Sequence, residues 1–305
     1  MIDVRHFVDE LIRQGATYFS GVPCSYLTSL INEVIARKET RYVLASSEGD
    51  AISIAAGLWL GGKMSVVLCQ NSGLGNMVNP LTSMSEPFGL PLLMLVTWRG
   101  KPGTKDEPQH KMMGQITPGL LSLMGIEYAL LPAEEEASLV AVRTAFEYIK
   151  REQKPYALIL SEDGFLARAQ PNDMPSRSDL PRREDALATF LDTVEEDAVV
   201  IATTGKTGRE LFTLQDRPGH FYCVGSMGYA SAIAHGVALA SKRHVYLIDG
   251  DGAAIMHMGN LTSIGASQPA NLTHIVLDNA CYDSTGAQAT ASSSVDFVAV
   301  ALAAG

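Results

Sequence analysis

Gly250-Asp251-Gly252 follows the apolar run Val-Tyr-Leu-Ile at 245–248, and Asp278-Asn279 ends a second apolar run, His-Ile-Val-Leu at 274–277. Two strand ends therefore each present an oxygen ligand suited to a metal. Glycine on both sides of Asp251 lets the backbone approach a bulky anion closely. Gly250, Gly252 and Ala253 supply that backbone, and Asn279 adds a neutral side-chain oxygen. The backbone carbonyl of Cys281 offers a third oxygen, whereas its thiol suits Mg²⁺ poorly. Mg²⁺ favours a compact octahedral set of oxygens completed by phosphate and water. The arrangement suggests a Mg²⁺ ion holding a diphosphate.

Further loops carry complementary chemistry. Thr203–Glu210, with Thr204 and Gly205 at its turn, can meet phosphate through backbone N–H groups and hydroxyls. It lacks the GxxxxGK[ST] pattern of a P-loop. Lys206 and Arg209 either reach an anion or are solvated. Gly225-Ser226-Met227-Gly228 is a second close-approach turn, in which Met227 can act as a wedge. In the N-terminal half, Glu48 stands at a strand end beside a helix start. A carboxyl facing an aromatic ring nitrogen can be kept protonated there by partial desolvation. The stretch 70–76, QNSGLGN, reads as a Gly-rich loop that lacks GxGxxG and suits packing against a planar ring. The loop 98–111 gathers Arg99, Lys101, Lys105, His110 and Lys111, with Asp106 and Glu107 as counter-charges. Such a cluster in an acidic chain is a candidate anion receptor.

These groups need a scaffold, and the chain supplies one. Its 305 residues suffice for two domains, with 47% hydrophobic and 18% charged residues. A net charge of −10 argues against a phosphate-backbone footprint, so no nucleic-acid partner is expected. Cysteines 24, 69, 223 and 281 show no ligand spacing and read as free thiols of a reducing compartment. The N-terminus reads as an amphipathic helix, and no apolar run approaches membrane-spanning length. A cytoplasmic enzyme follows as the expectation. Apolar runs at MSVVLCQ, LPLLMLVTW, YALLP and YALILS alternate with helical segments, as in an open parallel α/β sheet. Residues 170–183, with three prolines, read as a linker. A second α/β unit begins beyond it, through AVVIATTGK, FYCVGSMG, HVYLIDGDG and LTHIVLDNA. Open α/β sheets bind ligands beyond the carboxyl ends of their strands, where all these motifs fall.

The chain resembles the thiamine diphosphate (ThDP)-dependent decarboxylases, most closely their phosphonopyruvate branch. The resemblance rests on GVPCSYL (21–27), SSEGDAISIAAG (46–57), QNSGLGNMVNPLTS (70–83) and WRGKPGTKDEPQHKMMGQIT (98–117). It continues through TTGKTGREL (203–211), VGSMGYASAIAHGVALA (224–240), DGDGAAIMHMGNLTSIG (249–265) and LDNACYDSTGAQAT (277–290). It implies a pyrimidine-binding domain over 1–172, a linker over 173–187 and a diphosphate-binding domain over 188–305. It implies ThDP and Mg²⁺ as cofactors, with Glu48 on the pyrimidine N1′ and the Gly225 carbonyl on the 4′-amino group. Met227 would support the bent cofactor, and Asp251, Asn279 and the Cys281 carbonyl would hold Mg²⁺. It implies nonoxidative decarboxylation of 3-phosphonopyruvate, with sulfopyruvate decarboxylation or carboligation of a 2-oxo acid as alternatives. Ser25, Asn71, Arg99, Lys105 and His110 are the candidate contacts to a small anionic 2-oxo acid. A homodimer or higher homo-oligomer, with sites between subunits, is implied as well.

Some positions depart from the family pattern. Asp278-Asn279 replaces a usual Asn-Asn pair, Tyr282 stands where relatives often carry His, and Ala287 and Ala289 lie in a segment often rich in Gly and Pro. The chain stops at Ala-Leu-Ala-Ala-Gly where relatives continue, so the second domain is expected to be cut short at its C-terminus.

Overall fold

The computed structural model describes residues 1–162, 164–166 and 180–305. The chain separates into two compact units, Met1–Asn172 and Asp173–Gly305. The proline-rich segment expected to link two domains falls largely outside the described residues.

The first unit contains strands β1 (Ala16–Gly21), β2 (Arg41–Leu44), β3 (Met64–Gln70), β4 (Leu93–Thr97), β5 (Glu127–Leu130) and β6 (Tyr156–Leu160). Its helices are α1 (Val4–Arg13), α2 (Thr28–Ala36), α3 (Glu48–Leu60), α4 (Leu74–Pro80), α5 (Glu86–Phe88), α6 (Lys111–Leu123) and α7 (Glu135–Glu152). The strands form one parallel sheet in the order β2-β1-β3-β4-β6-β5. Alternation along the central strands explains why they read as unbroken apolar runs. Val66, Leu68, Leu93, Leu95, Leu158 and Leu160 point into one core, against α1, α2 and α7. Val67, Cys69, Met94, Val96, Ala157 and Ile159 point into the other, against α3, α4 and α6. A strand covered on both faces has no polar side to display.

The second unit contains α8 (Arg183–Thr193), β7 (Val199–Ala202), α9 (Lys206–Leu214), β8 (His220–Tyr222), α10 (Ala230–Ala240) and β9 (Val245–Gly250). It continues with α11 (Asp251–Met256), α12 (Asn260–Ser267), β10 (Leu272–Leu277) and α13 (Phe297–Ala304). Its parallel sheet runs β10-β9-β7-β8. Ile201, Val245 and Leu247 face the small-residue helix α10, while Val200, Ala202 and Ile248 face α8 and α9. Helix α8 begins inside the stretch 173–187 assigned to the linker, because Glu184 and Asp185 suit a first turn and Leu187 and Leu191 give it a buried face.

Both units share one winding scheme. Read from its second strand, each sheet begins 2-1-3-4: β2-β1-β3-β4 in the first, β8-β7-β9-β10 in the second. The chain therefore reverses direction between β1 and β3, and again between β7 and β9. Loops diverge at such a switch point and leave a crevice at the carboxyl ends of the strands.

One local reading changes. Residues 70–76 form a 3₁₀ turn, Asn71–Gly73, leading into α4, rather than an irregular loop. Leu74 and Met77 are buried there, and that packing outweighs the glycines' weak helix propensity. Helix α2 is likewise preceded by a 3₁₀ turn, Ser25–Leu27.

Candidate functional site

In the first unit, Glu48 is the opening residue of α3, just past Ser47, whose hydroxyl caps the helix by accepting from the Asp50 amide. Its residue is 7% exposed. The carboxylate accepts from Asn76 Nδ2 at 2.8 Å, which fixes its direction. A Cβ at Gly73 would stand 2.5 Å from the carboxyl group, so only glycine admits Glu48 in this position. Gly73, in the turn after β3, and Asn76 of α4 thus both serve the placement of a single acid.

The loop after β4 is held as firmly. Gly100 has φ +69°, and Gly114 of α6 approaches it so closely that a Cβ there would lie 1.8 Å from the Gly100 carbonyl oxygen. Trp98 Nε1 donates to the Gly114 carbonyl at 2.7 Å. Loop and helix start are therefore one rigid piece.

The structure divides the basic cluster of 98–111. Arg99 pairs bidentately with Asp106, Nε to Oδ2 at 2.8 Å and Nη2 to Oδ1 at 2.6 Å. Its guanidinium lies over the Tyr26 ring, 4.8 Å from the centroid, and Nη1 reaches Ser25 Oγ at 3.5 Å. His110 Nδ1 is 2.8 Å from Asp106 Oδ1, and its Nε2 is 3.4 Å from Gln70 Nε2. The Arg99 guanidinium above all, aided by His110 and the amides of Glu107 and Gly100, holds the Asp106 carboxyl well below the usual range despite burial. Lys101 turns elsewhere, donating to Ser161 Oγ at 3.3 Å and lying over the Trp98 ring. Lys105 and Lys111 are exposed. Ser25, Arg99 and His110 are thus brought together, and Lys105 is not placed among them.

Asn71 lies inside the first unit. It is 0% exposed. Its Nδ2 donates to the Arg99 carbonyl and to Thr117 Oγ1, both at 2.9 Å, and its Oδ1 accepts from the Arg99 amide at 3.1 Å. The side chain stitches the end of β4 to α6, and these three hydrogen bonds engage it within the protein. Asn71→Ala is expected to lower unfolding free energy by about 2–4 kcal/mol, from three lost hydrogen bonds and stranded buried partners. Urea denaturation of the variant would check this value.

In the second unit, β9 and β10 end in register, Gly250 beside Leu277, so Asp251 and Asp278 follow from neighbouring positions. Asp251 is 3% exposed, at the first position of α11, and its Oδ2 accepts from the Thr290 hydroxyl. Burial pushes its pKa up, Thr290 opposes this, and the nearby Asp278 carboxylate adds to the rise. A buried carboxylate with an acidic neighbour gains from a cation. Asn279 Oδ1 accepts from the Cys281 amide at 3.2 Å, and the Cys281 carbonyl accepts from the Asp283 amide at 3.0 Å. Each oxygen keeps a second lone pair. The available donors are all oxygens, as a hard divalent cation requires. Among the described residues no group of three or more His, Cys, Asp and Glu side chains is poised for a metal. A site here therefore relies on carbonyl and amide oxygens beside Asp251.

Gly205, at φ +90°, starts α9 and faces Ser284. Thr204 Oγ1 donates to the Val224 carbonyl at 3.1 Å, tying this turn to the loop of Gly225, Ser226 and Met227. Thr203 Oγ1 is buried without a hydrogen-bond partner, at the same end of the sheet. Lys206 is no free anion receptor. Its Nζ pairs with Asp283 Oδ1 at 2.8 Å, and Arg183 pairs with Asp283 Oδ2 at 3.1 Å. Arg209 is exposed. The Tyr282 ring is 7% exposed and lies against Gly252. Ala287 takes φ +58°, a conformation that glycine adopts without cost. A cavity of about 1020 Å³ in this unit is lined mainly by apolar residues of α12, β10 and α13, together with His257, His274 and Asp296, and by none of the candidate site residues.

The sequence marked Asp106 only as a counter-charge, Gln70 and Asn76 only as members of the 70–76 loop, and Thr290 not individually. Asp106 carried a signal, since one acid seven residues after Arg99 and four before His110 can serve both. The other three carry none that distinguishes them from ordinary polar residues.

Comparison with known proteins adds an independent finding. The N-terminal TPP binding domain of thiamine pyrophosphate enzymes matches residues 4–119, and the C-terminal TPP binding domain matches residues 203–305. Phosphonopyruvate decarboxylase of Streptomyces viridochromogenes is 45% identical over 320 residues, covering 100% of this chain and 80% of that protein. Phosphonopyruvate decarboxylase of Streptomyces hygroscopicus is 45% identical over 319 residues, with the same coverage. Sulfopyruvate decarboxylase of Methanosarcina acetivorans is 30% identical over 307 residues, covering 93% of this chain and 77% of that protein.

Proposed function

Because the chain belongs to the thiamine pyrophosphate enzymes, in the group that contains the phosphonopyruvate decarboxylases, we propose that it converts 3-phosphonopyruvate to phosphonoacetaldehyde and CO₂. The observation that carries the substrate is the similarity, over the whole of this chain and 80% of each relative, to two phosphonopyruvate decarboxylases, against a weaker similarity to a sulfopyruvate enzyme. No oxidant is needed, since a proton takes the place of the departing CO₂.

ThDP, when bound, supplies the electron sink that accepts the pair left by CO₂. The chain's own residues bind, orient and move protons. In this reading Glu48 holds a proton toward the pyrimidine ring nitrogen, and Asn76 fixes the carboxyl direction. The Gly225 carbonyl receives the ring amino group, and Met227 supports the cofactor from beneath. Thr204, Gly205, Ser226, Gly250, Gly252 and Ala253 line the diphosphate. Asp251, Asn279 and the Cys281 carbonyl hold Mg²⁺, a role supported by the all-oxygen donor set. Fixing the diphosphate this way orients the reacting end at no cost during turnover. Arg99, Ser25 and His110 receive the distal phosphonate, and exposed Lys105 adds attraction at longer range.

We also infer a homo-oligomer, in which the Glu48 unit of one subunit serves the Asp251 unit of another. The reading is supported by the placement of the two functions in separate compact units. Among the described residues no helix is long and apolar enough to cross a membrane. A cytoplasmic setting is part of the proposal, and the described cysteines, all free thiols, suit it.

The test is an assay with ThDP and Mg²⁺ on 3-phosphonopyruvate, sulfopyruvate and pyruvate, measuring CO₂ and aldehyde together. Preference for 3-phosphonopyruvate with matched yields supports the reading. Preference for sulfopyruvate replaces the substrate and keeps the reaction. CO₂ release without matching aldehyde indicates carboligation.

A further inference from the structure

The Asp106 carboxylate accepts five hydrogen bonds within one loop: two from Arg99, one each from the Gly100 and Glu107 amides, and one from His110. Carboxylate oxygens together offer about four lone-pair sites, so the group is fully committed. It has no capacity left for a ligand, and its side chain is 7% exposed. Its effect must pass through the two side chains it holds.

That hold determines what each of them presents. The Nε–Nη2 edge of Arg99 is consumed by the carboxylate, and one face lies on Tyr26. The free edge is therefore Nη1, beside the exposed Ser25 hydroxyl. At 3.5 Å this contact is too long for a strong bond, so both groups retain capacity for an anion. His110 donates its Nδ1–H to the Asp106 carboxylate, which can only accept, and this leaves Nε2 directed toward Gln70. Gln70 is fixed in turn: its Oε1 accepts from the Cys24 thiol, and its Nε2 donates to Ser72. The residues lie at the carboxyl ends of β1, β3 and β4, around the β1/β3 switch point.

We propose that Asp106 is the positioning residue through which this enzyme selects substrates with an anionic distal group. It does so by orienting the Arg99 Nη1 edge and the His110 ring. This inference rests on the proposed decarboxylase reading and deepens it. Asp106 also cancels the charge of Arg99, so the receptor works through directed donors rather than through net positive charge. A bidentate fork is specific in direction, whereas a lysine ammonium is a point charge. Replacing the carboxylate by an amide presents a donor where five donors converge, and both side chains lose their orientation.

The experiment compares wild type, Asp106→Asn and Arg99→Lys, all loaded with ThDP and Mg²⁺. Three constants are measured: KM for 3-phosphonopyruvate, Ki for pyruvate as a competing 2-oxo acid without a distal anion, and Kd for ThDP. Asp106→Asn is expected to raise KM about tenfold or more, with a smaller effect on kcat, as loss of a charge-assisted hydrogen-bond array implies. Ki for pyruvate and Kd for ThDP should stay within about twofold. Equal losses in all three constants would make Asp106 merely structural and overturn the proposal, as would an unchanged KM. Should Asp106→Asn fail to fold, Arg99→Lys carries the test, because it keeps the charge and removes the fork. It is expected to show the same selective rise, and an unchanged KM would overturn the proposal. Calorimetric binding of 3-phosphonopropanoate, which lacks the reactive oxo group, separates this inference from the reaction itself. Weakened binding in the variants supports the receptor even if wild type turns over a different anionic 2-oxo acid. Equal binding in all three proteins refutes it.

Discussion

Glu48→Gln is expected to lower turnover of the 2-oxo acid about 10²–10⁴-fold, the usual contribution of a positioned proton-transfer group. Affinity for ThDP and Mg²⁺ should remain close to wild type. The substitution is nearly isosteric. The new amide oxygen can still accept from Asn76, and the carboxamide fits beside Gly73, where no larger neighbour is tolerated. The cap on α3 is made by Ser47 and does not involve Glu48, so the helix start should survive. What disappears is an acid able to hold and return a proton. The check pairs a CO₂-release assay with calorimetry of ThDP binding. Turnover within a few-fold of wild type would remove Glu48 from its assigned role. Loss of cofactor binding together with turnover would reassign it to the architecture of the crevice.

Much of this was legible because the fold imposes it on the sequence. Central parallel strands are covered on both faces, so Val66–Cys69 and Leu93–Val96 must be continuously apolar. A parallel strand must end in a loop at the ligand-binding edge, so polar groups directly after each run mark the crevice. Asp251 and Glu48 both stood out for that reason. Asn71 shows where sequence alone stops discriminating. A buried asparagine that saturates the backbone of Arg99 and one that faces substrate occupy the same kind of position, just beyond a strand. They differ only in which way the amide turns, and that is decided by Thr117 and Arg99, many residues away. The basic loop fails for a similar reason. Composition counted five cations between 98 and 111, but pairing is a property of three-dimensional contacts. Asp106 takes two of them, Ser161 draws a third away, and the remaining two face solvent. Likewise, Lys206 belongs to Asp283, which Arg183 also pairs with, so of the two cations in that turn one is committed within the protein, while Arg209 is exposed.

Asp251→Ala should abolish Mg²⁺-dependent retention of ThDP, raising its Kd by about 100-fold or more. Loss of a residue that merely supports a metal ligand costs 10–100-fold, and loss of the charged ligand itself costs at least as much. Stability provides a second readout with a defined sign. The folded pKa of Asp251 is raised, chiefly by burial. A raised carboxyl contributes stability below its unfolded pKa, and that contribution is lost as pH rises through the folded value. Without cofactor near neutrality, the ionised side chain is therefore a burden. The cofactor-free variant should unfold no earlier than cofactor-free wild type. With ThDP and Mg²⁺ at about 100 times Kd, wild type should gain about 2.7 kcal/mol and the variant almost nothing. Destabilisation of the variant in the absence of cofactor would instead mean that Thr290 and Asp251 form a structural pair. The same substitution tests the shared-site assembly. Glu48→Gln and Asp251→Ala subunits are each inactive alone, so they can be unfolded, mixed and refolded together. If each site draws on two subunits, a mixed dimer places both defects in one site and leaves the other intact, so about a quarter of wild-type activity should return. If each site lies within one subunit, every site in the mixed dimer carries a defect and the mixture stays inactive.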